Sequence, residues 1–524
     1  MIRFLPRGVA TTLLLTAVPA LSHAAAPTDA CAALLGHKVP GAVVVMQKAQ
    51  LLPAGKAPAA PTGGPPGPDL MLPAHCRVEG VIDPHNGLDG KPYAITFAIA
   101  MPEKWNGRFL FQGGGGLNGA LNPPVGSAAA GAEPALSRGF AVVSTDSGHK
   151  GTTFDASFFA DQEASLNFLY LSVGKVTVVA KDVVTAYYKK PPAHSYFMGC
   201  STGGREAMIV SQRYPGYFDG IVAGAPAMRT RYSNLATSWV TTSLNAAAPK
   251  DADGKAQTAK ALSDADRKLV VDGLLKACDG QDGAEDGMVF NVRGCAFDPA
   301  TLACSGEKTD ACLSPVQVAS IKKGFAGPKT SAGAQVYPGF YFDTGITASG
   351  QGIPGLLVTG MSPVGPSPTG TTMDVDAEAH AAALDAVAMA GDSNAWTNLS
   401  GYTAHGGKLI FYHGVSDPWF SARDTVEYYE RLGKDNPSRK REDWSRLFLV
   451  PGMGHCRGGA ATLDSFDMVD AIVNWVEKNQ APEKVIATGR AFPGRSRPLC
   501  PYPQHPQYNG SGDKESAASF HCTE

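Results

Sequence analysis

The chain has 524 residues, long enough for a large hydrophobic core together with an inserted domain. Hydrophobic residues make up 44% of it and charged residues 18%, the usual proportions of a soluble globular protein. Because the formal net charge is only −2 and no basic run is present, the sequence argues against a nucleic-acid partner.

The first 24 residues have the pattern of a secretory signal peptide. Arg3 and Arg7 form a positive start, residues 8–21 are mostly apolar, and residues 22–24 place small side chains where a signal peptidase cleaves. The apolar stretch is too short to cross about 30 Å of hydrocarbon, so we expect no membrane span. The sequence therefore predicts an exported protein, either periplasmic or extracellular.

Residues 53–70 are rich in Pro and Gly and predict a loop. The elements predicted after it are strands at 93–100, 108–112 and 141–145, a helix at 167–189, a strand at 195–199, a helix at 203–214 and a strand at 218–223. Strands that alternate with helices predict an α/β fold, with a mostly parallel sheet covered by helices on both faces.

The pattern changes between about residues 226 and 404, which are rich in Ala, Gly and Asp. Sheet-like runs resume at 408–413 and 446–450, followed by an amphipathic helix. We interpret residues 25–225 and 405–524 as one sheet domain, interrupted by an inserted domain at 226–404.

Ten cysteines in an exported chain favour disulfide bonds over free thiols. Zinc ligation is the alternative, but the sequence has no C-x-x-C pair. Three pairs are close in sequence: Cys278 with Cys295, Cys304 with Cys312, and Cys500 with Cys522. Spacing alone does not determine how the other cysteines are connected.

Residues 199–203 have the sequence Gly-Cys-Ser-Thr-Gly and match the G-x-S-x-G nucleophile elbow. Such a pentapeptide could also be an ordinary Gly-Ser loop. Here it lies between a predicted strand and a predicted helix, which is the setting that the elbow requires. Its glycines would permit a strained turn and close backbone approach. We therefore predict that Ser201 is a nucleophile.

An α/β-hydrolase orders its catalytic triad along the chain as Ser, acid and His. Asp417 and His455 follow the two late strands, at the sheet edge where catalytic groups collect. His455 would take the proton from Ser201, and Asp417 would fix the tautomer of the base and stabilise its imidazolium form.

Two other histidines are alternatives for the base. His149 precedes the predicted nucleophile, which breaks the chain order of the fold. His413 lies within the end of a strand and has the position of a core histidine. The order of residues therefore favours His455.

Cysteines flank two of the predicted triad residues, since Cys200 precedes Ser201 and Cys456 follows His455. A disulfide bond between them would hold their Cα atoms roughly 5.5–6 Å apart and tie the nucleophile to the base. Closing so long a loop contributes roughly 5 kcal/mol in the chain-entropy model.

These motifs resemble the tannase and feruloyl esterase family. The segments that carry the resemblance are FQGGGGLNG (111–119), GCSTGGRE (199–206), DGIVAGAPA (219–227), CLSPVQ (312–317), YHGVSD (412–417), LFLVPGMGHC (447–456) and RPLCPYPQ (497–504). The resemblance implies an α/β-hydrolase fold with a large inserted lid domain. It also implies five disulfide bonds: Cys31–Cys76, Cys200–Cys456, Cys278–Cys295, Cys304–Cys312 and Cys500–Cys522.

An oxyanion hole needs backbone N–H groups aimed at the developing negative charge, and losing one donor typically costs about 10²–10³ in rate. Thr202 follows the predicted nucleophile and would supply one donor. The resemblance implies that Gly116 supplies the other and that Gly115 beside it contacts the substrate. The alternative is that this run of four glycines is only a flexible turn.

The insertion contains an acidic segment, CDGQDGAEDGM, at 278–288. On its own it is a weak sign of calcium, because it does not match the twelve-residue EF-hand loop. The resemblance implies a structural calcium ion and no organic cofactor. Its ligands would be the carboxylates of Asp279, Asp282 and Asp286 and the carbonyls of Ala284 and Met288.

The substrate is predicted less directly. The resemblance places Phe420, with Trp419 beside it, on an aromatic ring of the substrate, although both could be core residues. Residues 330–407 contain no Lys or Arg, so this part of the lid offers no cation to the free carboxylate of a mono(hydroxyethyl) terephthalate-type half-ester.

We therefore predict a secreted serine esterase that acts on a small-molecule ester of an aromatic acid, of feruloyl or galloyl type, through an acyl-enzyme. A half-ester hydrolase is the alternative within the same class. A non-catalytic ester- or carbohydrate-binding protein on the same fold, and a peptidase, are the alternatives of other classes.

Overall fold

A computed structural model describes residues 30–58, 70–347, 352–356 and 365–524. The predicted signal peptide and much of the predicted loop at 53–70 lie outside the described residues. In the described part of that loop Gly55–Lys56 pairs with Met71–Leu72 as a short strand, so the loop prediction was wrong there. No described helix has both the length and the apolarity needed to cross a membrane.

The strands of the described residues are β1 (Val44–Leu52), β2 (Gly55–Lys56), β3 (Met71–Leu72), β4 (His75–Asn86), β5 (Pro92–Pro102), β6 (Arg108–Gln112), β7 (Ala141–Thr145), β8 (His194–Cys200), β9 (Gly220–Gly224), β10 (Lys408–Gly414), β11 (Ser445–Val450), β12 (Val485–Thr488), β13 (Ser496–Leu499), β14 (His505–Tyr508) and β15 (Phe520–Thr523). The α-helices are α1 (Gln162–Leu166), α2 (Ser172–Tyr188), α3 (Thr202–Arg213), α4 (Thr230–Asn245), α5 (Asp264–Cys278), α6 (Pro315–Phe325), α7 (Val375–Leu384), α8 (Ala386–Gly391), α9 (Ser400–Ala404), α10 (Ala422–Asp435) and α11 (Met468–Lys478).

Nine strands form the central sheet in the order β1-β4-β5-β7-β6-β8-β9-β10-β11. Neighbours from β7 to β11 are parallel, whereas β1, β4, β5 and β7 pair in antiparallel fashion. The mostly parallel sheet was thus predicted correctly, but β1 and β4 were missed. The edge strand β1 buries few of its side chains, so its sequence carries only a weak hydrophobic signal.

The parallel strands are buried on both faces, which explains their nearly continuous apolar sequences. Alternate residues serve opposite faces, so Phe411 joins one core cluster and Ile410 the other. The first cluster packs against α2, α3 and α10, and the second packs against α11. Helices therefore cover both faces, as the sequence predicted.

The predicted helix at 167–189 is longer than expected and is interrupted. Helix α1 continues through a π-helical turn, Asn167–Leu171, into α2. A π turn inserts an extra residue and redirects side chains, and such turns are frequent at functional sites. Here it lies beside the cavity described below, which Phe168 and Leu169 help to line.

Residues 226–404 contribute no strand to the nine-stranded sheet in the part of the chain that the structure describes. Helices α4, α5 and α6 instead share a separate hydrophobic cluster. The CLSPVQ segment is the start of α6, where Ser314 and Gln317 form a capping box and Pro315 occupies the first turn. The domain boundaries at 226 and 404 stay a prediction.

The structure contains the five disulfide bonds that the resemblance implied. They are Cys31–Cys76, Cys200–Cys456, Cys278–Cys295, Cys304–Cys312 and Cys500–Cys522. They use all ten cysteines, so no thiol is left free.

Candidate active site

Ser201 lies at the turn between β8 and α3. Its backbone has φ 65° and ψ −124°, a conformation that non-glycine residues rarely adopt and that is typical of strained functional turns. A Cβ on Gly199 would lie 2.6 Å from the carbonyl of Gly203, and a Cβ on Gly203 would lie 2.7 Å from the carbonyl oxygen of Gly114. The predicted strand–turn–helix setting is therefore present, and both glycines are needed for close backbone contact.

Asp417 and His455 meet beyond the carboxyl ends of β10 and β11. Nδ1 of His455 donates a hydrogen bond to Oδ2 of Asp417 at 2.7 Å. Oδ1 of Asp417 accepts the backbone N–H groups of Trp419 at 2.9 Å and Phe420 at 3.0 Å. Two of the three predicted triad side chains are thus in direct contact.

The surroundings of Asp417 favour its charged form. Burial alone would raise its pKa, but the facing His455 and the hydrogen bonds from His413 and His455 outweigh burial. Together they hold the pKa of Asp417 well below its usual range. The carboxylate is therefore charged at neutral pH and can stabilise an imidazolium on His455.

His413 is a second neighbour of Asp417 that the sequence analysis did not predict. Its Nε2 lies 3.3 Å from Oδ2 of Asp417 and 3.0 Å from the carbonyl oxygen of Phe420, and its Nδ1 lies 2.8 Å from Oγ1 of Thr425. A carbonyl can only accept, so Nε2 carries the hydrogen. His413 is therefore a satisfied core histidine. Its position four residues before Asp417 was the available signal.

His149, the other alternative for the base, is buried behind the aromatic wall of the site. Its ring stacks on that of Phe158 at a centroid distance of 3.6 Å. Burial lowers the pKa of His149 to about 4. It is not among the residues that line the cavity at Ser201.

Nε2 of His455 is buried and has no hydrogen-bond partner among the described residues. The Cys200–Cys456 bond joins the residue before Ser201 to the residue after His455, with the Cα atoms of the two cysteines 5.9 Å apart. A hydrogen bond between base and nucleophile is often long before substrate binds. Within the described residues Nε2 is therefore the ring atom of His455 that is left to accept a proton, as the predicted triad requires.

Replacing both Cys200 and Cys456 with alanine should lower kcat by about 10- to 100-fold, because small errors in the placement of reacting groups have effects of this size. The far-ultraviolet circular dichroism spectrum at the assay temperature should stay native. The matched control is Cys304→Ala/Cys312→Ala, which opens a bond in the insertion. Unchanged kinetics in a folded Cys200→Ala/Cys456→Ala variant would contradict a positioning role.

The four glycines at 113–116 differ in how their N–H groups are used. Three are occupied: Gly113 donates to the carbonyl of Met198 at 2.8 Å, Gly114 to Oε2 of Glu206 at 2.8 Å, and Gly115 to Oδ1 of Asn118 at 2.9 Å. Within the described residues no acceptor faces the N–H of Gly116 or that of Thr202. These are the two donors that the sequence analysis proposed for an oxyanion hole.

Glu206 stabilises the glycine loop at 113–116 through hydrogen bonds, and the sequence analysis did not single it out. It is buried, and besides Gly114 it accepts the side-chain amide of Asn118 at 3.1 Å. Burial raises its pKa, and the hydrogen bond from the Gly114 N–H, the charge of Arg205 and the hydroxyl of Ser147 oppose that effect. The available signal was the Glu of GCSTGGRE, one helical turn after Thr202 on α3. Glu206 and Asn118 together make the glycine run an ordered turn.

A cavity of about 350 Å³ opens at Ser201, and Gly116 and Thr202 also line it. Its aromatic wall consists of Phe154, Phe159, Phe168, Trp419 and Phe420. The rings of Trp419 and Phe420 stack at 5.1 Å, and the ring of Phe420 lies 5.2 Å from that of His455. Gly115, which was also predicted to contact substrate, is not part of the lining.

The predicted calcium ligands lie close to one another at the end of α5. Both oxygens of Asp279 accept backbone N–H groups, from Asp286 at 3.0 Å and Gly287 at 2.9 Å. The buried Oδ2 of Asp282 and Oδ1 of Asp286 have no partner among the described residues. Burial raises the pKa of Asp282 to about 7, and the neighbouring carboxylates of Asp286 and Asp279 add to the shift.

The acidic segment at 278–288 has carboxylate oxygens that a cation could use. Among the described residues no three His, Cys, Asp or Glu side chains converge as a ready-made metal site, and Asp286 also pairs with Arg497. The two unpartnered carboxylate oxygens do fit a cation, because buried charge without a partner is costly. An oxygen that accepts one N–H also keeps a lone pair for a metal.

The sequence of the chain matches a known protein family over most of its length. A family model described as "Tannase and feruloyl esterase" matches residues 76–379 and 369–523. The chain belongs to the tannase and feruloyl esterase family. The resemblance found in its motifs is thereby confirmed.

Two family relatives match nearly the whole chain. It is 40% identical to the mono(2-hydroxyethyl) terephthalate hydrolase of Piscinibacter sakaiensis, over 86% of this chain and 85% of that protein. It is 31% identical to a probable feruloyl esterase of Arthroderma benhamiae, over 94% of this chain and 93% of that protein.

The fold of the family is also seen in crystal structures. Feruloyl esterase B from Aspergillus oryzae superposes with a TM-score of 0.74 at 24% identity, covering 94% of this chain and 99% of that one. Tannin acyl hydrolase from Aspergillus niger gives 0.70 at 21% identity, covering 94% of both chains. The fold is therefore the α/β-hydrolase type. The family model and the two relatives above show that the protein is a carboxylic ester hydrolase.

Proposed function

We propose that the protein hydrolyses esters of aromatic carboxylic acids, of feruloyl or galloyl type, through an acyl-enzyme on Ser201. The observation that carries this proposal is the cavity at Ser201, which combines a wall of aromatic rings with the unpaired N–H groups of Gly116 and Thr202. Aromatic rings pack favourably against one another, and the two donors suit a developing oxyanion.

In the first half of the reaction, Oγ of Ser201 attacks the ester carbonyl while Nε2 of His455 takes its proton. The carbonyl oxygen becomes negative and is stabilised by the N–H groups of Gly116 and Thr202. The tetrahedral intermediate collapses, the C–O bond to the alcohol breaks, and His455 returns the proton to the leaving alcohol.

In the second half, water attacks the acyl group on Ser201 and gives its proton to His455. The second intermediate collapses, the bond from the acyl carbon to Oγ of Ser201 breaks, and His455 returns the proton to Oγ as the aromatic acid leaves. Asp417 keeps the Nδ1 hydrogen of His455 in place throughout, at the observed 2.7 Å. Phe420, in contact with both the cavity and His455, would hold the ring of the acid.

A substrate panel tests the proposed class. We expect turnover of methyl ferulate, methyl gallate or chlorogenate, with no cleavage of peptidyl p-nitroanilides. Cleavage of the anilides without ester cleavage would favour a peptidase. Binding of these esters without turnover would favour a non-catalytic binding protein.

A half-ester hydrolase is the second candidate, and Arg231 favours it. This arginine of α4 lines the cavity, is exposed, and has no hydrogen bond or ion pair among the described residues. The predicted absence of a cation concerned residues 330–407 only. A guanidinium from outside that range could pair with the free carboxylate of a substrate.

Arg231→Ala should raise KM for a mono(hydroxyethyl) terephthalate about tenfold or more, and leave KM for methyl ferulate within about twofold, because only the first carries a free carboxylate. Arg490→Ala, an exposed arginine outside the cavity lining, is the matched control. Equal effects on both substrates would contradict a role in carboxylate recognition.

We infer that residues 226–404 act as a lid. Thr230, Arg231 and Asn234 of α4 line the cavity, as do Val387 and Ala388 of α8. The insertion therefore supplies a wall of the site, while the sheet domain supplies Ser201, Asp417 and His455. We also infer export, since five disulfide bonds suit an oxidising compartment.

We infer that calcium stabilises the insertion. Carboxylates of Asp279, Asp282 and Asp286, with carbonyls of Ala284 and Met288, would hold it. Its charge would stabilise the two unpartnered carboxylate oxygens and brace the segment that follows α5. The segment is distant in sequence from Ser201, and the ion would have no part in the chemistry.

Dialysis against EDTA should lower Tm by about 3–8 °C relative to 1 mM calcium, since a ligand at 100 times its Kd stabilises by about 2.7 kcal/mol. In Asp282→Asn the difference in Tm between calcium and EDTA should largely vanish. After EDTA treatment this variant should melt at the same temperature as the EDTA-treated parent or at a higher one, because a buried charge is gone. Asp251→Asn, on the exposed surface, is the control. No change in the Tm of the parent would contradict the site.

A further inference from the structure

Asp343 belongs to the insertion but bonds to the loops that carry the predicted acid and base. It is 2% exposed. Oδ2 of Asp343 accepts the hydroxyl of Ser416 at 2.6 Å and the backbone N–H of Gly452 at 2.7 Å. One carboxylate oxygen therefore joins two segments that are more than thirty residues apart in the chain.

Each of these partners is close in sequence to a triad residue. Ser416 immediately precedes Asp417, and Gly452 lies three residues before His455. The backbone N–H of Ser416 also donates to the carbonyl of Met453 at 3.0 Å. The acid loop (residues 415–421, after β10) and the base loop (residues 451–467, after β11) therefore contact each other directly. Asp343 adds a second connection at the same junction.

The insertion approaches this junction closely. The backbone N–H of Gly345 donates to Oγ of Ser416 at 3.0 Å, and a Cβ on Gly345 would lie 2.4 Å from the side chain of Ser416. Thr344 adds a hydrogen bond from Oγ1 to the carbonyl of Ala461 at 3.3 Å, further along the base loop. Three successive residues of the insertion thus hold the two loops.

Asp343 does not touch the cavity at Ser201. It lines a separate cavity of about 560 Å³, together with Val415 and Arg423. Its effect on the reaction must therefore pass through the loops and not through substrate contact.

We propose that Asp343 is a positioning residue, which fixes the spacing of the Asp417 and His455 loops and makes the insertion a structural part of the triad. The proposal rests on the proposed function of these residues. The geometry assigns the role to the Oδ2 side of the carboxylate, since Oδ1 is buried without a partner among the described residues. Burial also raises the pKa of Asp343, with the Ser416 and Gly452 hydrogen bonds opposing that shift.

Only Oδ2 of Asp343 accepts hydrogen bonds from the two loops, and the variants are chosen to test that oxygen. Asp343→Asn retains one oxygen, which can accept from Ser416 and Gly452 while its NH₂ group takes the unpartnered side. Asp343→Ala removes the acceptor and leaves two buried donors unpaired. Ser416→Ala removes one of the two donors to Asp343 and also the acceptor of the Gly345 N–H, while the Gly452 bond stays.

For the ester that the wild type hydrolyses best, we expect Asp343→Ala to lower kcat about 10- to 100-fold with KM within about twofold. Asp343→Asn should stay within about fivefold of the parent kcat. Ser416→Ala should fall between the two, and it decides the question if the Asp343→Ala variant does not fold. Wild-type kcat in a folded Asp343→Ala, or in Ser416→Ala when the former is unfolded, would overturn the proposal.

Val78→Ala separates positioning from general stability, because Val78 is fully buried in β4, which pairs with β1 and β5 at the end of the sheet opposite to β10 and β11. It should lower Tm while leaving kcat unchanged at temperatures where the protein is folded. If Val78→Ala and Asp343→Ala lowered kcat equally at an equal loss of Tm, the role of Asp343 would be merely structural.

A second readout does not depend on the ester. A fluorophosphonate forms a bond from phosphorus to Oγ of Ser201 and loses fluoride, while the hydroxyl proton passes to His455. The labelling rate of Asp343→Ala should fall in parallel with its kcat. Normal labelling in that variant would overturn the inference alone, whereas a wild type that neither labels nor hydrolyses any ester would overturn the proposed function.

Discussion

Ser201→Ala should lower kcat/KM for methyl ferulate by about 10⁴- to 10⁶-fold, the loss expected when a serine nucleophile is removed. Alanine has no oxygen to attack the carbonyl, so no acyl-enzyme can form. The remaining rate would come from the oxyanion donors and substrate binding. Initial rates, with acyl-enzyme detected by mass spectrometry of the quenched reaction, measure the effect.

The fold should not change in this variant. Two backbone hydrogen bonds, each 3.0 Å long, hold Ser201 in place. Its N–H donates to the carbonyl of Gly224, and its carbonyl accepts the N–H of Arg205. Ser400→Ala, at an exposed serine of α9, is the matched control and should behave as the parent. If Ser201→Ala kept more than a hundredth of the parental rate, Ser201 would not be the nucleophile.

Asp417→Asn should lower kcat by about 10⁴-fold, the size of effect seen when a triad aspartate becomes an amide. The side-chain oxygen of Asn would stay on the Oδ1 side, where the N–H groups of Trp419 and Phe420 donate. Its NH₂ group would then face Nδ1 of His455. Nδ1 must become the acceptor, so Nε2 carries the hydrogen and cannot take the proton of Ser201.

Asp470→Asn, on the exposed face of α11, provides the matched control for this change. A crystal structure or a thermal melt of Asp417→Asn would show whether the geometry and fold are kept. A folded variant that lost less than tenfold in kcat would mean that Asp417 is not the partner of the base. His413, 3.3 Å from the same carboxylate, would then need to be tested by substitution.

The parallel strands could be predicted from the sequence because each is a short, continuous apolar run next to glycine or a polar loop. Predicted strands 108–112 and 141–145 match β6 and β7 residue for residue. The edge strand β1 and the two-residue strand β2 could not be predicted in this way, because they are stabilised by pairing with neighbours more than by burial.

The residues of the candidate site also fall into those that the sequence predicted and those that it did not. Local motifs, whose order along the chain is informative, contain Ser201, Asp417 and His455. They also contain the cysteines beside Ser201 and His455. Contacts between distant segments carry no such pattern. The bond from Glu206 to the glycine run and the position of Arg231 in the cavity wall became visible only when the chain was folded. For His413, four residues before Asp417, a local signal existed, but the contact between the two side chains was seen only in the structure.

By itself the sequence determined the family and the residues proposed for the chemistry, because these depend on residue type and order. The disulfide pairing followed from the resemblance to that family and not from the spacing of the cysteines. Only the tertiary structure decided which N–H groups of the glycine run are free, which side chains form the cavity, and that Asp343 of the insertion joins the acid and base loops. The physical reason is that hydrogen bonds and burial between segments depend on distances that folding alone creates.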